Sequence, residues 1–275
     1  MLKKLFVYDM RALSKLLIIA HIPLILLAFL LRFTIVDALS HLETNDSFAI
    51  LAGALLVLFF CYLAVVAFLT EVYFAYYTYK NLFSDQGYLT LTLPATPAQQ
   101  VGAKVLSGTT WILIDQVVIY LSCAICIAGT NTMSLILDEM QKLPKDFFQS
   151  FFGMSFSEII AYFMGSTLVN AITAPCIILG ALCLGQLFSK NRILIAVVTY
   201  FCYYFLVQIV ASGYMGYQMA STANSAEIFA GTPYATTPLP GMKGLFILST
   251  ILCAAFGVLG YFFSNWCMRK KINLH

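Results

Sequence analysis

The chain has 275 residues, of which 61% are hydrophobic and 10% charged, with a formal net charge of +3 and a mean hydropathy of +0.89. One soluble core of this length cannot hide so much apolar surface, so a water-soluble globular protein is excluded and lipid must be the main solvent. The basic residues flank apolar runs as topological anchors, and no nucleic-acid partner is expected.

Residues 1–14 place Leu2, Phe6, Met10 and Leu13 at helical spacing, with Lys3, Lys4, Asp9 and Arg11 elsewhere on the wheel. That pattern predicts an interfacial amphipathic helix, the plainer alternative being a basic flank. Apolar runs of about 20 residues match a hydrocarbon slab of about 30 Å. Six are expected, at 16–37, 48–77, 104–130, 157–186, 193–215 and 244–268. The first is too long for a signal-peptide core and lacks an A-x-A cleavage site, so it reads as an uncleaved span. The expected fold is an all-α polytopic membrane protein, one membrane domain over 1–275 with no obvious internal repeat.

With both termini on the inner side, that side collects Lys3, Lys4, Arg11, Lys15, Lys80, Lys104, Lys190, Arg192, Arg269, Lys270 and Lys271. The outer side keeps Arg32, Lys142, Lys145 and Lys243, so both termini are expected to be cytoplasmic. In the second outer loop, Ile136, Leu137, Met140 and Leu143 form one stripe before Pro144, and Phe147, Phe148, Phe151 and Phe152 follow it. Two short amphipathic helices broken at Pro144 are predicted, resting on the outer leaflet or covering the outer end of a pathway. The loop at 216–242, with Pro233, Pro238 and Pro240, reads as irregular, and Ser189 to Arg192 is too short for a soluble domain.

Chemistry is sparse. The chain has no G-x-x-x-x-G-K-[ST] phosphate loop, and its histidines, His21, His41 and His275, are scattered. No catalytic residue, metal site or enzyme activity is expected of the chain itself. The eight cysteines fall in apolar segments, and the Cys123/Cys126 pair reads as small buried residues rather than a metal or redox site. Ionisable residues inside spans are functional candidates because burying them is expensive. Glu71 and Asp115 qualify, at similar expected depth, with Thr70, Tyr73, Thr109 and Thr110 as hydroxyl partners. They read either as a polar patch in a substrate or proton path or as a hydrogen-bonded pair between helices. Glu158 reads as a cap or interface residue. Tyr73, Tyr76, Tyr77 and Tyr79 read mostly as an interfacial belt. Pro175, Gly180 and Gly185 mark the fourth span as kinked or closely packed; Gly213, Gly216, Gly257 and Gly260 suggest close helix approach within the subunit or across a dimer.

The most informative stretch is the polar connector at 83–106. Thr96-Pro97-Ala98-Gln99 reads as a helix start, with a hydroxyl N-cap, proline at the first helical position and Gln closing a capping box. A rigid capped helix between two spans on the basic side is a surface for docking a partner.

Leu93-Pro94-Ala95-Thr96-Pro97-Ala98-Gln99, with Gln100 and Lys104 following, resembles the loop between the second and third spans of ABC-2 type transporter permeases. Tyr79 to Leu89 and Lys271-Ile272-Asn273-Leu274 look like permeases of Gram-positive bacteria. The resemblance implies a multi-pass protein of the bacterial plasma membrane, the membrane-spanning subunit of an ATP-driven exporter. Its partners would be a cytoplasmic ABC ATPase dimer, a second permease subunit and membrane lipids. ATP and Mg2+ would sit on the ATPase, with no cofactor in this chain. The connector, through Leu93, Pro94, Thr96, Pro97, Gln99, Gln100 and Lys104, would be the coupling helix seated in an ATPase cleft. Relatives of this plan export peptide antibiotics or other amphipathic compounds. Two other readings are a membrane sensor or scaffold docking a cytoplasmic protein, and a proton-coupled secondary transporter using Glu71 and Asp115.

Overall fold

The computed structural model describes residues 1–40, 46–84, 87, 94–127, 138, 147–188, 190–223 and 242–270. Leu93, the stripe from Ile136 to Pro144, His41, His275, most of the 216–242 loop and the tail 271–275 lie outside the described residues. Among the described residues all regular structure is helical: α1 (Leu2–Ser40), α2 (Asp46–Leu82), α3 (Pro97–Ile127), α4 (Phe147–Phe152), α5 (Phe156–Gln186), α6 (Arg192–Ala223) and α7 (Met242–Lys270). All but α4 are long and apolar enough to cross a membrane, so the chain is a polytopic all-α membrane protein. The helices outrun the apolar windows that predicted them, α2 reaching 37 residues. A hydropathy window counts only what lipid holds, whereas backbone hydrogen bonding continues past the interface.

Residues 1–14 are helical but form no separate element, because α1 runs unbroken from Leu2 to Ser40, through Pro23. Its buried face explains the continuity. Asp9, Leu13, Leu17, His21, Leu24, Ala28 and Leu31 recur every three or four residues and are all buried, so one packing stripe runs from the first turns into the span. Asp9, expected elsewhere on the wheel than the apolar residues, belongs to that stripe.

The helices fall into two compact units, Met1–Leu143 and Pro144–His275. In the first, α1 packs against both α3 and α2. Leu24, Ala28 and Leu31 of α1 meet Phe59 and Val66 of α2 and Cys126 of α3 in its apolar core. Large side chains on other faces, such as Ile19, Phe60 and Val117, are exposed, as a lipid-facing surface requires.

In the second unit, α4 is the short helix expected after Pro144. Ser155 caps α5, and Glu158 closes the capping box, as its position suggested. The α5–α6 turn is tight. Asn191 takes a left-handed φ of 55°, a conformation asparagine tolerates better than most residues, before α6 begins at Arg192. The helix α5 is the hub, packed mainly on α7 and also on α6. Glu158 lies 3.5 Å from Lys243, Tyr162 stacks on Phe246, and Cys267 Sγ reaches the Cys183 carbonyl, so α5 and α7 run parallel in one register.

That register depends on glycine. A Cβ on Gly260 would stand 2.5 Å from the Cys176 carbonyl oxygen, and one on Gly180 would stand 2.9 Å from Gly260 Cα. The two backbones touch, within the subunit. Gly213 and Gly216, by contrast, have open space beside them and mark no close approach here. Gly260→Ala is therefore expected to lower the stability of the second unit by about 1–3 kcal/mol, the usual cost of overpacking. Gly213→Ala, with open space beside it, should not lower it. Thermal unfolding of the two variants in the same detergent checks the contrast.

Candidate functional site: the capped connector and two buried polar pairs

The connector leaves α2 by a short turn, in which Phe83 N–H donates to the Tyr79 carbonyl at 2.8 Å and Ser84 Oγ donates to the Lys80 carbonyl. At the start of α3 the capping box is formed. Gln99 N–H donates to Thr96 Oγ1 and Thr96 N–H donates to Gln99 Oε1, each at 3.3 Å. These bonds satisfy donors that a helix start otherwise leaves without partners. Pro94 and Thr96 are exposed, and Pro97 and Gln99 are half-buried. From this cap α3 runs 31 residues without a break, a stiff rod with its end at the surface.

Two residues expected on the docking surface are not there. Gln100 and Lys104 are each 4% exposed and face into the first unit. They lie on the stripe Gln100, Lys104, Ser107, Trp111, Asp115, Ser122 and Cys126, the face that α3 buries.

Lys104 is held rather than free. Its Nζ lies 2.6 Å from Asp9 Oδ1 and 4.4 Å from the centre of the Tyr77 ring. Tyr77 donates its hydroxyl to the same Asp9 oxygen at 2.7 Å, and Asn81 Nδ2 donates to the Tyr77 hydroxyl at 3.1 Å. One cluster thus takes its acid from the start of α1, its base from the start of α3, and its tyrosine and amide from the end of α2. Buried charges persist when paired and hydrogen-bonded, and this pair has both.

A second pair lies about three turns deeper. Asp115 does not bond the hydroxyls expected for it: Thr70 and Thr110 donate to carbonyls of their own helices, and Tyr73 lies 3.5 Å from the Ala12 carbonyl. Its partner is His21, whose Nε2 lies 2.9 Å from Asp115 Oδ1. His21 Nδ1 lies 2.6 Å from the Leu17 carbonyl oxygen, which can only accept, so Nδ1 carries a hydrogen. One further proton then sits between Nε2 and Oδ1. Whether it rests on nitrogen or oxygen, the pair is neutral overall and every group facing its partner is satisfied.

By helix rise, Glu71 lies at a different level. Tyr77 is level with Lys104, so Glu71, six residues back along antiparallel α2, is level with a point about 7 Å short of Asp115. It is half-buried. The tyrosines of α2 also divide differently from an interfacial belt. Tyr62 donates to the Ala20 carbonyl at 3.0 Å, and Tyr73 and Tyr77 likewise turn toward α1, whereas Tyr76 is exposed.

The cysteines are all free thiols, and Cys126 Sγ packs 3.6 Å from the Ala28 carbonyl. Among the described residues no group of three His, Cys, Asp or Glu side chains could hold a metal ion.

The signal for the buried pairs was present in the spacing. Asp9 and His21 are twelve residues apart on α1, and Lys104 and Asp115 eleven apart on α3. Each set shares a helix face with apolar residues, and the charges complement one another if the helices run parallel. No family model matches this chain, and neither a curated protein nor a solved structure matches it.

Proposed function

We propose that this chain is the membrane-spanning permease subunit of an ATP-driven ABC exporter, moving an amphipathic compound or peptide out of a bacterial plasma membrane. Both termini face the cytoplasm in this reading, and ATP hydrolysis belongs to a separate ATPase dimer. A second permease subunit, the same or related, completes the complex. The observation that carries the reading is the capped start of α3. An ATPase can move a membrane helix only by pushing on something stiff, and a reciprocally capped, surface-ended helix continuous with a span is such a lever. Pro94, Thr96, Pro97 and Gln99 are its accessible residues.

Purification from the native membrane in mild detergent, with mass spectrometry of what co-elutes, tests this directly. A stoichiometric ATPase is expected; a clean preparation without one would defeat the reading. Breaking the cap with Thr96→Ala plus Gln99→Ala should weaken ATPase retention while membrane insertion stays normal, since losing a cap typically lowers helix stability by only about 1 kcal/mol.

A proton-coupled carrier is the second reading. It is favoured by the buried His21–Asp115 pair and by a shared plan of the two three-span units, in each of which the first and third spans are parallel neighbours. Carriers are often built from repeats of this kind. Transport that collapses with a protonophore while ATP remains high would favour it over the exporter.

A further inference from the structure

We infer that Asp9 and Lys104, with Tyr77 and Asn81, form a joint that carries displacement of the capped connector into α1; the inference rests on the exporter reading and names its transmission route. The cap gives a stiff entry at Thr96, and Lys104 lies two turns inside it on the buried face. A push on the connector therefore reaches Lys104 through unbroken helix. At Lys104 the force meets a charged contact of 2.6 Å to Asp9, in a site where both side chains are almost fully shielded from solvent. Separating that contact would leave two buried charges without their counter-charges, which is far harder than sliding apolar faces past one another. The easier response is for α1 to move with α3.

Tyr77 adds a third helix to the same point. Its hydroxyl bonds the Asp9 oxygen that Lys104 also contacts, and its ring lies against the ammonium group. Asn81 holds that hydroxyl from one turn further along α2. The pivot thus joins the end of the span entering the connector to the start of the span leaving it. Deeper in the unit, His21–Asp115 fixes the same two parallel helices at a second level, and the sequence separation of the partners changes only from 95 to 94 residues. Two fixed points on parallel rods prevent both sliding and splaying. Asp9 and Lys104 are accordingly positioning residues: they need not touch cargo or nucleotide.

The experiment is hydrogen–deuterium exchange on the complex purified with its ATPase, with and without ATP plus vanadate. In the native protein the nucleotide should change exchange in two segments, the connector at 94–104 and the start of α1 at 2–13. In Lys104→Met the connector response should persist with the ATPase still bound, and the α1 response should be lost. Equal responses in both segments of this variant would overturn the inference. Where Lys104→Met does not fold, Tyr77→Phe serves. It keeps the ring under the ammonium group and removes the hydroxyl with its bonds to Asp9 and from Asn81, and the α1 response should shrink relative to the connector response; an unchanged ratio overturns the inference. A native preparation that holds no ATPase, or one whose connector ignores nucleotide, defeats the exporter reading itself and takes the joint with it. That result is distinct from a responding connector with an indifferent Lys104→Met.

Discussion

Lys104→Met is expected to destabilise the protein by about 3–5 kcal/mol, the usual consequence of removing one partner from a buried ion pair. The loss should come less from the missing attraction than from Asp9, which would be left without its counter-charge at a site only 2% exposed. Adding Asp9→Asn should recover most of it. Asparagine still offers Oδ1 to the Tyr77 hydroxyl, so no buried donor loses its acceptor, and the uncompensated charge is gone. Unfolding midpoints of the two single variants and the double variant in one detergent form a double-mutant cycle. If the double variant is as damaged as Lys104→Met, the penalty is lost packing and the charge argument fails.

His21→Leu should cost about 3 kcal/mol, toward the low end of what a broken buried pair loses. It removes the one partner recorded for Asp115 among the described residues. The cost is moderated because an unfolded helix held in lipid must also accommodate the acid, so the reference state shares the burden. Asp115→Asn should be far milder. With Nδ1–H given to Leu17, a neutral imidazole presents a bare Nε2, and the asparagine amide can turn to donate to it. The pairing survives with different atoms. Measured by the same unfolding assay, an Asp115→Asn loss equal to that of His21→Leu would show that the proton between these residues is not shared as described.

These two pairs also show where the sequence was legible and where it was not. The six spans could be placed because a membrane imposes a length, and the Thr96–Gln99 cap could be placed because its partners lie three residues apart. Both are local. Lys104 lies at the boundary of an apolar run and so resembled a topological anchor. Its burial depends on which helix covers it, and nothing near residue 104 says that the cover comes from residue 9. His21 was set aside because no second ligand or nucleophile accompanied it, yet a histidine needs only one carboxylate to become structural. Depth along antiparallel α2 points Asp115 toward hydroxyls or Glu71, whereas its partner lies on α1. Gly180 and Gly260 were readable as small residues, but whether they met each other or another subunit required the α5–α7 register.

The parallel arrangement of α1 and α3 has a consequence for biosynthesis. Neighbours joined as a hairpin can pair as soon as the second emerges, but parallel neighbours must wait for the helix between them. Asp9 is made 95 residues before Lys104. At about 5–20 residues per second, that interval is roughly 5–20 s. His21 waits as long for Asp115. During this time the first span holds an acid without its cation and an imidazole without its carboxylate, although Tyr77 of α2 and the Leu17 carbonyl reach them earlier. A nascent chain stopped after α2 is therefore an incomplete object whose polar stripe lacks the α3 residues that complete it. The pairing of the first unit is completed by the arrival of α3, whose two complementary residues meet those of α1.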